Sequence, residues 1–322
     1  MKLQDIGFYT LSDQRALGAT TKTPLQRCEL VLTEACNFNC LYCRGLTGKA
    51  AGVIKYEKAQ DWVEYWLEQG LRNVRFTGGE PLLFPGLLGL VEMCRAGGVE
   101  RIAVSSNGSL PLHRYTELLE AGVNDLSISL DSGCCSGGEV MSGGAKRWDR
   151  VVENIKALSQ QTYVSLGMVF TPDNVDECVD HVLFADSLNP GDIRVIPSAQ
   201  YNEALEKLTE LPIEVLIKYP ILRYRIDNIA AGVQVRGMFE SDCRRCWLAM
   251  DDMAVAQGYH FPCIIHLREG GDPIGPLDKR DVRADRLKWL TEHDSYADPI
   301  CRKNCLDVCI AYNNKARESN GE

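Results

Sequence analysis

Cys36, Cys40 and Cys43 stand at C-x3-C-x2-C spacing in the run Thr33-Glu34-Ala35-Cys36-Asn37-Phe38-Asn39-Cys40-Leu41-Tyr42-Cys43. Three thiolates this close in sequence can hold three corners of a 4Fe–4S cluster, which normally takes four ligands. The fourth iron is then left open, and an open metal position is a chemical site, as it is in catalytic zinc centres. A zinc knuckle is the other use of such thiols. No histidine or further cysteine follows closely enough to complete its tetrahedral set.

A second run bears on the choice. Thr77-Gly78-Gly79-Glu80-Pro81 follows the apolar, strand-like stretch Val74-Arg75-Phe76. Its glycines permit close backbone approach, and the carboxylate of Glu80 suits an ammonium group. Together the two runs resemble the signature of the radical SAM superfamily. The resemblance implies that the open iron binds the amino and carboxylate groups of S-adenosylmethionine (SAM). One electron from the cluster then cleaves a C–S bond and releases a 5′-deoxyadenosyl radical. It further implies that Gly78, Gly79 and Glu80 lie along the methionine part of SAM and that Tyr42 packs near the adenine. Polar residues at the ends of the third and fourth strands contact SAM in resembling enzymes. Ser129 is the foremost candidate here, with Asn107 and Asp131 behind it and Val169 late in the fifth strand. Asn107-Gly108 also reads as a turn signal, and Asp131 as a loop or helix cap.

The elements that must position these residues alternate strand and helix. Strands read at about 28–34, 72–76, 101–105, 125–130, 163–170 and 192–196. Helices read at about 57–69, 85–96, 112–120, 147–159 and 174–187, with a Gly/Ser/Cys-rich loop after Asp131. Such alternation implies a parallel sheet with helices on its outer face. Six units are fewer than the eight that close a full barrel. The expected class is therefore α/β, an open (β/α)6 partial barrel, which is also what the superfamily resemblance implies. The candidate residues all fall at strand C-termini, the rim where loops of parallel sheets build active sites.

From about residue 240 the composition changes. Cys243, Cys246, Cys263, Cys301, Cys305 and Cys309 appear, with Gly258 between Cys246 and Cys263. This resembles the opening of the SPASM and twitch domains, which bind auxiliary 4Fe–4S clusters. The closing spacing C-x3-C-x3-C departs from the usual pattern. Six thiols are too few for two fully ligated clusters, so one auxiliary cluster is expected. Cys246 and Cys263 are its leading ligands, and Cys243 and the last three cysteines compete for the remaining places. His260 or His266 could serve a second, incomplete site, and zinc is the structural alternative. The domains expected are an N-terminal extension over 1–27, the barrel over 28–235 and the auxiliary region over 236–322.

Cys134 and Cys135 lie beyond the fourth strand on the active rim. Thiols are good hydrogen-atom donors, so either could quench a substrate radical; the alternative is a loop with incidental thiols. Cys28, Cys94 and Cys178 sit in strand or helix patterns and read as buried free thiols.

The chain has 322 residues, 14 cysteines, 45% hydrophobic content and a net charge of −9. Fourteen cysteines grouped at short spacings, without a signal-peptide core in residues 1–18, suggest metal ligation in a reducing cytoplasm rather than disulfides. No apolar run reaches transmembrane length. The acidic balance argues against a general nucleic-acid binder.

A radical SAM enzyme needs a reducing partner such as flavodoxin or ferredoxin. The substrate expected is a small polar metabolite or sugar, undergoing epimerisation, dehydrogenation or rearrangement. Peptide maturation is an alternative, although 27 residues before the first strand are too few for a peptide-recognition domain. A third reading rests on Ile6-Gly7-Phe8-Tyr9-Thr10-Leu11-Ser12-Asp13 with Cys43-Arg44-Gly45. These are similar to phage-encoded radical SAM proteins that rearrange amino-acid-decorated thymine in DNA. A non-catalytic iron–sulfur electron carrier is the remote alternative, since dedicated carriers ligate every iron.

Overall fold

The computed structural model describes residues 14–198, 201, 203–278 and 282–321. The Ile6–Asp13 run, and with it most of the expected N-terminal extension, lies outside the described residues. The chain divides into two compact units. One takes in the described residues within 1–35, 44–102 and 237–322; the other comprises 36–43 and 103–236.

In the first unit, β1 (Arg27–Val31) pairs in parallel with β2 (Asn73–Thr77), Arg27 opposite Asn73 and Val31 opposite Thr77. Every residue of both strands is buried, as expected where helices and neighbouring strands cover a parallel sheet on all sides. The helix Tyr56–Glu68 buries Ala59, Val63 and Trp66 at helical spacing. Gly70, at φ +87°, then turns the chain, a conformation that costs glycine nothing. The helix Leu87–Ala96 buries Leu87, Leu90, Val91 and Cys94.

In the second unit β3 (Arg101–Ser106, entering from the first), β4 (Asp125–Ser129), β5 (Tyr163–Phe170) and β6 (Asp192–Pro197) pair in parallel, each with the next. Leu126, Ile128, Val164, Leu166, Met168, Ile193 and Val195 are buried, whereas Ser127, Ser129, Gly167, Val169 and Arg194 are more open. The period of two along each strand thus puts a polar face opposite an apolar one. The helices Leu112–Ala121, Trp148–Leu158 and Cys178–Ser187 follow these strands. In the second of them, Val151, Val152, Ile155 and Leu158 are buried.

Two differences from the sequence reading stand out. The loop expected after Asp131 contains the helix Cys135–Met141. Its Cys-Ser-Gly-Gly opening has little helix propensity, but the glycines are needed. A Cβ on Gly137 would collide with the Ser132 hydroxyl, and one on Gly138 with the Trp148 ring. Close packing, not propensity, makes this helix.

The second difference is in the cysteine-rich segment, which joins the sheet of the first unit. β7 (Asp252–Ala256) pairs in parallel with β1, Arg27 opposite Asp252. β8 (Tyr259–Phe261) and β9 (Gly275–Pro276) extend it antiparallel. Arg27 and Asp251 lock the junction with a buried ion pair at 2.9 Å. Arg286, fully buried, donates to the carbonyls of Ala249, Asp252 and Phe261. The described residues within 237–322 fall in the same compact unit as β1 and β2. Among the described residues no helix is long and apolar enough to cross a membrane.

Candidate active site and auxiliary thiol site

The cluster loop Cys36–Cys43 belongs to the second unit, where backbone and side chains hold it. Asn39 and Leu41 donate to the carbonyls of Ser142 and Met141, at the end of the helix Cys135–Met141. Gly143 lies so close beneath Asn39 that a Cβ would strike its carbonyl. The Cys43 amide donates to the Cys40 carbonyl, closing a turn. Cys36 and Cys43 are exposed and Cys40 is half-buried. Burial pushes the Cys40 thiol up to about 12, helped by the charges of Asp131, Cys43 and Cys36. The three thiols share one short loop, the arrangement expected of ligands to a common cluster.

Around Cys36 sits an amide network. Asn107 Nδ2 donates to Asn37 Oδ1 at 2.8 Å and reaches Cys36 Sγ at 3.8 Å. Asn37 Nδ2 donates to the Ser109 hydroxyl at 2.8 Å, and that hydroxyl donates to Asn107 Oδ1 at 2.7 Å. The Phe38 amide donates to Cys36 Sγ at 3.4 Å. N–H donors to cluster sulfurs are one of the ways a protein sets the potential of iron–sulfur centres.

On the other side, Tyr42 donates to Asp131 Oδ2 at 2.6 Å, while Val169 N donates to Asp131 Oδ1 at 2.8 Å. Asn174 Nδ2 bridges the carbonyls of Asp131 and Val169. Burial raises the Asp131 carboxyl to about 6 against these donors. Asn107 and Asp131, expected as SAM contacts, each hold the cluster loop by one bond, through Asn37 and through the Tyr42 hydroxyl. Ser129 ends β4 with an exposed side chain whose hydroxyl has no partner among the described residues. On the same face Arg194 donates to the hydroxyls of Ser127 and, at 2.7 Å, Ser165. Gly167 keeps that face open, since a Cβ there would have only the Ile128 carbonyl, at 3.9 Å, within reach. Arg194 was not singled out in the sequence, where it is one arginine in an apolar strand.

Cys134 and Cys135 stand at the start of the helix Cys135–Met141. Cys134 is the N-cap of the helix Cys135–Met141, its sulfur accepting from Gly137 N at 3.4 Å. It is the far end of that helix, seven residues on, that touches the cluster loop. Hydrogen bonds from Ser136, Ser132 and Gly137 hold the Cys134 thiol below its usual range.

In the first unit the glycine turn packs against the segment that leads into Cys36. Gly79 N donates to the Thr33 carbonyl at 2.6 Å and Glu80 N to the Ala35 carbonyl at 2.8 Å. A Cβ on Gly78 would strike the Thr33 carbonyl, and one on Gly79 the Ala35 carbonyl. Both glycines are required by the segment that leads into Cys36. Glu80 is fully buried, and its carboxylate accepts from Leu82 N at 3.2 Å, capping the short turn Pro81–Leu83. Arg268 donates to the Gly78 carbonyl at 2.6 Å and to the Gly45 carbonyl at 3.2 Å.

The same unit holds the auxiliary thiols. Cys246, Cys263, Cys301, Cys305 and Cys309 line one cavity with Leu248, Ile265, His266 and Trp289 among its walls. Burial, and then the neighbouring Cys309, pushes the Cys246 thiol up to about 12. Cys263 is held well above its usual range by burial and by Cys246, Cys301 and Cys309. Five crowded thiols in an apolar pocket are a donor set for a metal or cluster, which takes the protons' place. Cys243 stands outside the cavity, its thiol directed to the Arg245 carbonyl at 3.2 Å. His266 lines the cavity, and its Nε2 meets Asp298 at 3.3 Å; with Cys301 these form a compact donor trio. His260 does not line it; its Nδ1 faces Arg286 at 3.2 Å, and burial lowers it to about 3.

The sequence profile of the Radical SAM superfamily matches residues 30–185. The GTP 3′,8-cyclase of Peptoclostridium acidaminophilum is 32% identical over 301 residues, covering 83% of this chain and 90% of that one. The chain belongs to the radical SAM superfamily. A second GTP 3′,8-cyclase, from Petrotoga mobilis, is 27% identical over 80% of this chain and 88% of its own. Streptococcus suis SuiB bound to S-adenosylmethionine shares the fold with a TM-score of 0.60 at 14% identity, over 84% of this chain and 66% of SuiB. So does anSMEcpe with bound AdoMet, with a TM-score of 0.58 at 14% identity over 92% of this chain and 93% of that one. The α/β partial barrel with a cysteine-rich C-terminal region, expected from the sequence, is the fold of this radical SAM enzyme. Its cofactors are a 4Fe–4S cluster and SAM.

Proposed function

We propose that this radical SAM enzyme abstracts a hydrogen atom from a small polar metabolite bearing a sugar, with a nucleotide as the first class to test. Cys36, Cys40 and Cys43 would hold the 4Fe–4S cluster, which with SAM would supply the 5′-deoxyadenosyl radical. The protein's own contribution is positioning. Asn37, Asn107 and Ser109 orient the Cys36 side of the loop. Tyr42 and Asp131 anchor the Cys43 side to β4 and β5. The Gly78–Glu80 turn is the SAM contact of this reading. The five cavity thiols supply four ligands for one auxiliary cluster. A separate low-potential protein such as flavodoxin or ferredoxin delivers the electron.

The observation that carries the substrate class is Arg194 with Ser127 and Ser165, on the polar face of the unit that bears the cluster loop. A guanidinium flanked by hydroxyls suits phosphate or another anionic polar group. Relatives named for GTP support the same class. Likeness to SuiB bound to a precursor peptide is at 13% identity and speaks for the fold alone.

The test is 5′-deoxyadenosine release by the anaerobically reconstituted protein with dithionite and SAM. Nucleoside triphosphates, nucleotide sugars and short peptides are added in parallel, with a Cys36/Cys40/Cys43→Ala blank. Stimulation by nucleotides or nucleotide sugars, lost in Arg194→Met, is the expected result. Stimulation by peptides alone would overturn the substrate class.

A further inference from the structure

Arg268 joins two sites that the reaction scheme treats separately. It is the last residue of the helix Ile264–Arg268, whose N-cap is Cys263. Cys263 faces the five-thiol cavity, and its sulfur accepts from His266 N at 3.4 Å. One end of this five-residue helix is therefore fixed by the auxiliary donors. From the other end, the Arg268 guanidinium reaches two backbone carbonyls. One is Gly78, at 2.6 Å, within the glycine turn; the other is Gly45, at 3.2 Å, just after Cys43 in the chain. The next residue, Glu269, forms an ion pair with Arg44. The helix is thus tied twice to the segment that follows the cluster loop and once to the glycine turn.

The turn has little freedom of its own. Gly78 and Gly79 are wedged against Thr33 and Ala35 on one side, and Arg268 holds the Gly78 carbonyl on the other. A planar fork donating to two carbonyls fixes direction as well as distance, which a lysine cannot do. Rotation of the Cys263 helix would move both carbonyls.

The geometry points to Arg268 as a positioning residue through which loading of the auxiliary thiols sets the conformation of the Gly78–Gly79 turn, and so the affinity for SAM. This rests on the reading of that turn as a SAM contact. By linkage the effect is reciprocal: SAM must tighten the hold on the auxiliary metal by the same factor.

The test uses the reconstituted holoenzyme. SAM binding is measured by equilibrium dialysis and by the change it makes in the electron paramagnetic resonance spectrum of the reduced radical cluster. Auxiliary iron release to a chelator is timed with and without SAM. Arg268→Ala is expected to weaken SAM binding about tenfold or more, with unchanged iron content and unchanged spectra in the absence of SAM. Arg268→Lys, keeping the charge but one carbonyl at most, is expected to fall between. Cys263→Ala, which unties the Arg268 helix from the auxiliary thiols, is expected to weaken SAM binding similarly, and the double variant no further than either alone. In the wild type SAM slows chelator release of auxiliary iron; in Arg268→Ala it does not. That last comparison needs no cysteine variant and decides the matter if Cys263→Ala fails to fold. Wild-type affinity in Arg268→Ala, or equal protection of auxiliary iron by SAM in both proteins, overturns the coupling. A wild type that binds no SAM overturns the reading of the turn, and this inference with it.

Discussion

At the scale of single residues, the groups around the cluster loop divide into those that hold protein and those left open to a ligand. Tyr42 and Asp131 belong to the first kind. Tyr42→Phe removes a 2.6 Å hydrogen bond to a buried carboxylate, which costs about 1–3 kcal/mol. Urea unfolding of the metal-free protein checks the loss, and faster release of radical-cluster iron to a chelator shows that the loop, not only the fold, is affected. Gly79 gives a sharper case. Gly79→Ala sets a methyl against the carbonyls of Ala35 and Glu34, which neither backbone can yield. We expect a loss of several kcal/mol, beyond the usual range for single substitutions, and little folded protein. Gly18→Ala, where nothing lies within 4 Å, is the matched control in thermal melts. Cys134 makes a third prediction. Donors from Ser136, Ser132 and Gly137 lower its thiol, so it is the first of the chain's thiols to react with iodoacetamide at neutral pH in the loaded protein. Peptide mapping after brief exposure reads this directly, and modification spread evenly over the cysteines would contradict it.

At the scale of elements, the alternation of six strands and their helices was legible to within a few residues, because long apolar periodicities dominate local preference. The helix Cys135–Met141 was not, since it exists by fitting Gly137 and Gly138 under Ser132 and Trp148 rather than by its own propensity. That Cys36, Cys40 and Cys43 share one loop was legible from their spacing. The meaning of Asn107 and Asp131 was only half legible: their place at strand ends marks them as site residues, but what they bind is settled by Asn37 and Tyr42, far off in sequence. Arg194 and Arg268 carry no local signal at all.

Element-scale energetics appear at Asp192, which opens β6. Its carboxyl accepts from Ile193 N at 2.8 Å and Ile221 N at 3.2 Å, yet burial raises it from 3.8 to about 6. The folded state therefore binds more protons than the unfolded state between those values. The stability this group confers is present below the lower value and lost as pH rises through the higher one. Asp192→Asn abolishes that dependence. Relative to the wild type it should gain roughly 2–3 kcal/mol between pH 4 and pH 7, read from urea midpoints of the two proteins across the range.

At the scale of the whole molecule, the sequence marked residues 236–322 as a change of composition. It could not show that β7 seats itself beside β1, since that pairing joins Arg27 to Asp252, positions with no local pattern linking them. Removing residues 237–322 would strip β1 of its neighbour as well as removing the auxiliary thiols. We expect such a truncated chain to be recovered as aggregate, because a buried parallel edge is then open. A truncation that stays monomeric in size-exclusion chromatography would contradict the role assigned to β7. The pairing also has a consequence for synthesis. β1 leaves the ribosome before β7, which is added some two hundred residues later. At about 5–20 residues per second the strand waits for roughly ten to forty-five seconds. Through that interval the nascent chain presents an unfinished sheet, so the synthesis of β7, not of β1, decides when this enzyme becomes safe from its neighbours.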